Sequence, residues 1–282
     1  MNLLTRRPLG LVLAACGLAG GMLQIAYAQS PMPVSPTYSD LADLADSAGL
    51  VIHVSVRSLA RVKDERAPGL RSGDGRFYVK AKTRALLFGA QGVGDALGYL
   101  VDLPLDSRGK PPLVKKQDML VFARTIPSRP GELQLVGRQA QVRYSDATVA
   151  RLRPILAELA GPDAPPPVTG VREIIHVEGD LAGSGETQIF LSTADNSAAS
   201  ITVRRQPGRA ADWGVSFSEL VAEAGRKPAA NTLTWYRLAC FLPNTLPSRL
   251  NLSESAVARQ QAIADYRLVL GDLGPCQRTL QP

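Results

Sequence analysis

The stretch RFYVKAKTRALLFG, residues 76–89, alternates with a period of two. Phe77, Val79, Ala81, Thr83, Ala85 and Leu87 fall on one side of an extended chain, and Arg76, Tyr78, Lys80, Lys82 and Arg84 fall on the other. One face belongs to a core and the opposite face is a cationic stripe. Its neighbours repeat the strand signal: residues 50–63 carry Leu50, Ile52, Val54 and Val56 at alternate positions, and further strands are expected over 97–105, 118–125 and 132–144, the last broken at Gly137. A helix capped by Ser39 and stopped at Gly49 precedes this run, and one capped by Ser145 follows it. Five strands between two helices make an antiparallel β-barrel-like unit over residues 39–160, OB-like in strand count. Asp40, Asp43 and Asp46 of the first helix are candidates to lie against the basic strand.

Residues 161–170, GPDAPPPVTG, hold four prolines and read as a linker between domains. Beyond it, strands are expected over 171–178, 186–193, 198–206 and 212–217, with a turn at Asp195-Asn196. Three helices follow: 219–225 capped by Ser218, an apolar one over 231–241, and a long one over 253–273 that turns Ala256, Val257, Ile263, Tyr266, Leu270 and Leu273 inward. Trp213, Trp235, Tyr236 and Phe241 are core candidates here. The fold class is therefore α+β, with a smaller mixed strand and helix domain over 171–282.

The N-terminus has the form of an export signal. Arg6 and Arg7 precede an apolar run, and Ala26-Tyr27-Ala28 is a small-x-small cleavage site before Gln29. Residues 1–28 are read as the signal peptide and 29–38 as a proline-bearing spacer, which places the protein in the periplasm. Leu13-Ala14-Ala15-Cys16 also fits a lipid-attachment pattern, with the mature chain then anchored at Cys16; the apolar run that continues past Cys16 favours Gln29. Only Cys240 and Cys276 remain in the mature chain, and such a pair in an oxidising compartment reads as a disulfide. It closes a loop of about 37 residues, worth roughly 3–4 kcal/mol.

The chain of 282 residues has 32 basic and 25 acidic side chains, and loss of Arg6 and Arg7 leaves 30 basic ones. From Gln29 to Ala160 the count is 19 basic against 13 acidic, and nine of those basic residues lie between Arg57 and Arg84. On an exported protein such a surface points to an acidic envelope component or protein partner, with peripheral contact to an anionic membrane in the same class. Arg76, Tyr78, Lys80, Lys82 and Arg84, with Lys115 and Lys116 on a neighbouring connection, are the candidate binding residues. Nucleic acid is not expected, because single-strand binding needs several stacking aromatics and Tyr78 is nearly alone.

Catalytic signatures are sparse. His176, Glu178 and Asp180 share one strand face at i, i+2 and i+4, the arrangement of an acid/base pair or a divalent-metal site, and Ser184 follows in a glycine-rich turn. That turn, Ala182-Gly183-Ser184-Gly185-Glu186, is not the strained elbow a serine nucleophile uses. Gly89, Gly92 and Gly94 lack the lysine of a phosphate loop. No motif calls for a cofactor or a metal. A non-enzymatic binding protein is the favoured reading, with a metal-dependent or acid/base hydrolase at His176, Glu178 and Asp180 as the alternative.

Several stretches also carry a resemblance: YSDLADLA (38–45), RAPGL (66–70), residues 77–89, LPLDSRGK (103–110), PGELQLV (130–136), VTGVREIIH (168–176), GETQIFL (185–191) and TWYRLACFL (234–242). Together they resemble a group of uncharacterised exported alphaproteobacterial proteins with no assigned activity. The resemblance implies export and carries no reaction.

Overall fold

The computed structural model describes residues 35–112, 114–218 and 226–280. The period-two stretch lies within β2 (Asp74–Phe88), which pairs antiparallel with β1 (Leu50–Arg61) and with β3 (Ala96–Pro104). β1 also pairs with β4 (Asp118–Thr125), and the ring is completed through β5 (Glu132–Leu135). The result is a closed five-stranded barrel in the order β1-β2-β3-β5-β4, with β6 (Gln141–Arg143) added to β4. Three register shifts along the β1–β2 pair bend these long strands, as the curvature of a small barrel requires. One expectation is corrected: the barrel is not wholly antiparallel. β3 and β5 run parallel, with Gly98 opposite Glu132 and Tyr99 opposite Leu133, because β4 intervenes in sequence and reverses the chain before β5.

As far as Ala81 the inward residues are the alternating ones; beyond it a register shift turns Leu86 to the barrel core and Leu87 to the second core. Ile52, Val54, Val56, Phe77, Val79 and Val121 fill the barrel together with Tyr99, whose hydroxyl reaches Gln141 Oε1 at 2.7 Å. A second core lies outside the barrel wall. Val51, Leu120 and Phe122 project from β1 and β4 into an apolar cluster with helices α1 (Tyr38–Ser47), α2 (Asp146–Ala160), α3 (Leu233–Ala239) and α4 (Ala256–Leu273). The same cluster takes the inner face of a four-stranded antiparallel sheet in the order β10-β9-β8-β7. Its strands are β7 (Val168–Glu178), β8 (Gly185–Thr193), β9 (Ser200–Arg205) and β10 (Asp212–Ser216). Residues 35–280 thus share one packed unit, and the proline-rich 161–170 stretch runs between two sheets that contribute to the same core. Pro165 O there accepts from Arg237 Nε at 3.1 Å.

Helix α1 departs from its reading in two ways. Its cap is Thr37, in a reciprocal box with Asp40, while Ser39 is buried within the first turn. Its acidic residues do not meet β2. Asp46 receives both Nη atoms of Arg237, at 2.6 and 2.7 Å. Asp43 accepts from Tyr236 Oη and pairs with Arg278, and Asp40 accepts from the backbone N–H groups of Thr279 and Leu280. The C-terminal segment is thereby strapped across α1, and the Cys240–Cys276 disulfide fixes its start to the end of α3.

In α4 the cap is Ser255, and the inward stripe is Ala258, Ala262, Asp265, Tyr266, Val269 and Leu273. Ala256 and Val257 are exposed, because they form the first turn, ahead of the sheet-facing residues. Phe241 is likewise partly exposed at 38%, past the end of α3, whereas Trp213, Trp235 and Tyr236 are buried. The helix expected over 219–225 and the N-terminal signal with Cys16 lie outside the described residues. No helix among the described residues is long and apolar enough to cross a membrane.

Candidate functional site

The cationic residues of β2 stand on the barrel's outer wall, as alternation dictates once Phe77, Val79 and Ala81 face inward. The structure divides them into two groups. Arg76 is committed: its Nε and Nη2 bind Asp102 Oδ1 and Oδ2 at 2.6 and 2.9 Å. The hydrogen bond to Arg76 holds the Asp102 carboxyl below the usual carboxylate range. Arg138 adds contacts of 3.7 Å to both Asp74 and Asp102, and donates to Gly69 O at 2.7 Å. Arg76 reaches Pro68 O, so the two guanidiniums clasp the connection between β1 and β2. Lys80, Lys82 and Arg84, with Arg57 of β1, are exposed and form no ion pair with any described residue.

Between these groups lies Tyr78. Its hydroxyl donates to Glu132 Oε1 at 2.5 Å, which raises the phenol pKa above its ordinary value. To make this bond the side chain crosses from β2 over β3 to β5. It passes directly above Gly98, where a Cβ would stand 2.2 Å from Tyr78 Oη and 2.7 Å from Glu132 Oε1. A glycine at that position is what lets the tyrosine lie along the wall. Two depressions flank it and share Tyr78 and Glu132 as lining. One, of about 630 Å³, is bordered by Arg57, Lys80, Lys82 and the backbone of Gly131. The other, of about 490 Å³, has Leu100, Ile126 and Leu135 as its apolar part and Arg76, Arg138 and Gln134 around it. Leu100 is 49% exposed.

Lys115 and Lys116 are exposed but stand elsewhere. Lys116 N donates to Val56 O, on the edge of β1 away from β2. Sequence reading missed Glu132, Gly98 and Asp102, which sit on other strands; the pairing register brings them beside β2.

The His176 cluster is not assembled as its spacing suggested. Glu178 and Asp180 are exposed, whereas His176 is buried and turned to α4. Its Nδ1 meets Thr187 Oγ1 at 2.8 Å, and that hydroxyl donates to Asp265 Oδ2. Asp265 Oδ1 takes Arg205 Nε at 2.6 Å and Gln261 Nε2 at 3.0 Å. Thr187 has one proton, given to Asp265, so it accepts from Nδ1–H. Ser184 is bound instead to the backbone of Leu181, through both N–H and carbonyl. Among the described residues no group of three or more His, Cys, Asp or Glu side chains is gathered as a metal site.

No protein-family model matches the chain, and no curated protein is significantly similar to it.

Proposed function

We propose that the protein is exported to the cell envelope and binds an acidic partner through the outer wall of its barrel, without converting that partner. The observation that carries this reading is the group Arg57, Lys80 and Lys82, exposed at one depression, with exposed Arg84 further along the same strand, all without ion pairs to the described residues. Cations in excess of the carboxylates Asp95 and Glu132 that share the depression steer an oppositely charged partner and give salt-sensitive association. The strand order, closed by a parallel β3–β5 pair, supports an OB-like assignment, and in that fold the β2–β3 wall is a usual binding surface. The signal-like N-terminus and the disulfide support export. The test is titration of the mature protein with poly-L-glutamate at 50 and 300 mM salt. Binding is expected at low salt, weakened at high salt, and lost when Arg57, Lys80, Lys82 and Arg84 are replaced by alanine; an unchanged affinity in that variant overturns the reading.

A second reading rests on the hydrogen-bond chain at His176. A buried imidazole with its Nδ1–H held through Thr187 to a buried carboxylate has the wiring of a general base, now with Asp265 in the place expected for Glu178 or Asp180. Hydrolysis of p-nitrophenyl acetate above the buffer rate, abolished by His176→Gln, supports it; a rate equal to buffer dismisses it.

A further inference from the structure

We infer that Tyr78 is a platform for a sugar ring and that the acidic partner is an acidic polysaccharide. This rests on the proposed charge-based binding and names its ligand class. A lysine row alone reads charge and nothing else. The wall beside it offers more. Tyr78 leans across β3, held at its tip by Glu132 and placed above a residue with no side chain, and it is half-buried and borders both depressions. A hydrogen-bonded tyrosine has little rotamer freedom left to lose on binding, which is the advantage of preorganisation. Half-exposed Leu100 extends the apolar area next to it.

Polar groups on the two sides differ in kind. On one side stand the cations Arg57, Lys80 and Lys82, in excess over Asp95 and suited to a carboxylate or sulfate on the ring. On the other stand Arg76–Asp102 and Gln134, donors and acceptors together, suited to hydroxyl groups that both give and take hydrogen bonds. A lone aromatic also argues against a nucleic acid, because it gives successive bases no second ring to stack on. A ring with hydroxyls on one edge and an acid on another satisfies both sides.

The experiment measures binding of the mature full-length protein to trigalacturonate, poly-L-glutamate, maltotriose and an oligo-dT at one salt concentration. Trigalacturonate is expected to bind more tightly per charge than poly-L-glutamate. Tyr78→Ala should weaken trigalacturonate at least tenfold while leaving poly-L-glutamate within twofold, and Tyr78→Phe, which keeps the ring, should weaken it less. Lys80→Ala with Lys82→Ala should weaken both anions. If Tyr78→Ala leaves trigalacturonate unchanged while the lysine variant weakens it, the sugar platform is overturned and charge binding stands. If neither anion binds the wild-type protein, both fall. If oligo-dT binds more tightly than trigalacturonate, or maltotriose binds as well as trigalacturonate, the acidic-sugar assignment is overturned. Circular dichroism of each variant separates lost contacts from lost fold.

Discussion

Tyr78 and Glu132 are joined across an intervening strand by a 2.5 Å hydrogen bond that runs above Gly98. Replacing Gly98 by alanine puts a methyl group where the two side chains meet. The atoms it meets are side-chain ends held to each other only by that bond, so once it breaks they move aside rather than distort the strand. The lost hydrogen bond, worth about 1 kcal/mol, is offset by the better strand propensity of alanine. Gly98→Ala is therefore expected to keep the thermal midpoint within a few degrees while lowering the phenol pKa of Tyr78 towards its ordinary value, read by ultraviolet pH titration against Tyr78→Phe. A titration identical to wild type would show that the tyrosine does not depend on that gap.

Asp40 anchors the C-terminal strap and gives it an acid limit. Burial pushes its carboxyl pKa up, and the hydrogen bonds from Thr279, Thr37 and Leu280 outweigh that and leave it below the ordinary value. A carboxyl depressed in the folded state stabilises above its unfolded pKa of about 3.9 and loses that contribution as the pH falls through the lower folded value. The thermal midpoint is expected to fall below about pH 4. Asp40→Asn should lower the midpoint at pH 7 and flatten that acid limb; an equally steep limb in the variant would assign it to other carboxylates, such as Asp102 and Asp272, which are also depressed.

The Cys240–Cys276 bond, spanning 36 positions, holds the start of the same strap. Its removal by Cys240→Ser with Cys276→Ser frees the unfolded chain and costs roughly 3–4 kcal/mol, a midpoint drop of about 10 °C. Proteolysis should then begin near the strap, because Arg278 and Thr279 lose the covalent tether that presents them to Asp43 and Asp40. Unchanged stability in reducing agent with the thiols confirmed reduced would contradict this.

Alternation was legible and pairing was not. The inward set Ile52, Val54, Val56, Phe77 and Val79 follows from residue chemistry at a period of two, so the barrel strands could be read directly. The parallel β3–β5 contact depends on which strands meet around the ring, and no local pattern encodes it. Helix α4 failed for a different reason. A stripe built from apolar residues skips Asp265, which is fully buried at the centre of the inward face, and takes in Ala256 and Val257, which are exposed. The charge survives there because Arg205, Gln261 and Thr187 come to it from other turns and strands. The same blindness hid Arg237, buried with Asp46 as its partner.

That buried network makes the last prediction. His176, Thr187, Arg205 and Asp265 come from β7, β8, β9 and α4, so one set of hydrogen bonds pins the helix across three strands. Thr187→Val keeps the shape and removes the single hydroxyl that serves both neighbours. His176 Nδ1–H then lacks an acceptor and Asp265 Oδ2 a donor, while the direct His176–Asp265 separation of 3.7 Å is too long for a hydrogen bond. Leaving such groups unpaired costs about 1–3 kcal/mol, expected as a lower urea midpoint with an unchanged slope. The imidazole also loses the contact that fixes its tautomer, which nitrogen chemical shifts of His176 report. Glu178→Gln and Asp180→Asn, both at exposed positions, should each change stability by less than about 0.5 kcal/mol. If the exposed pair matters more than Thr187, the helix is held by its apolar face alone and the network is incidental to the fold.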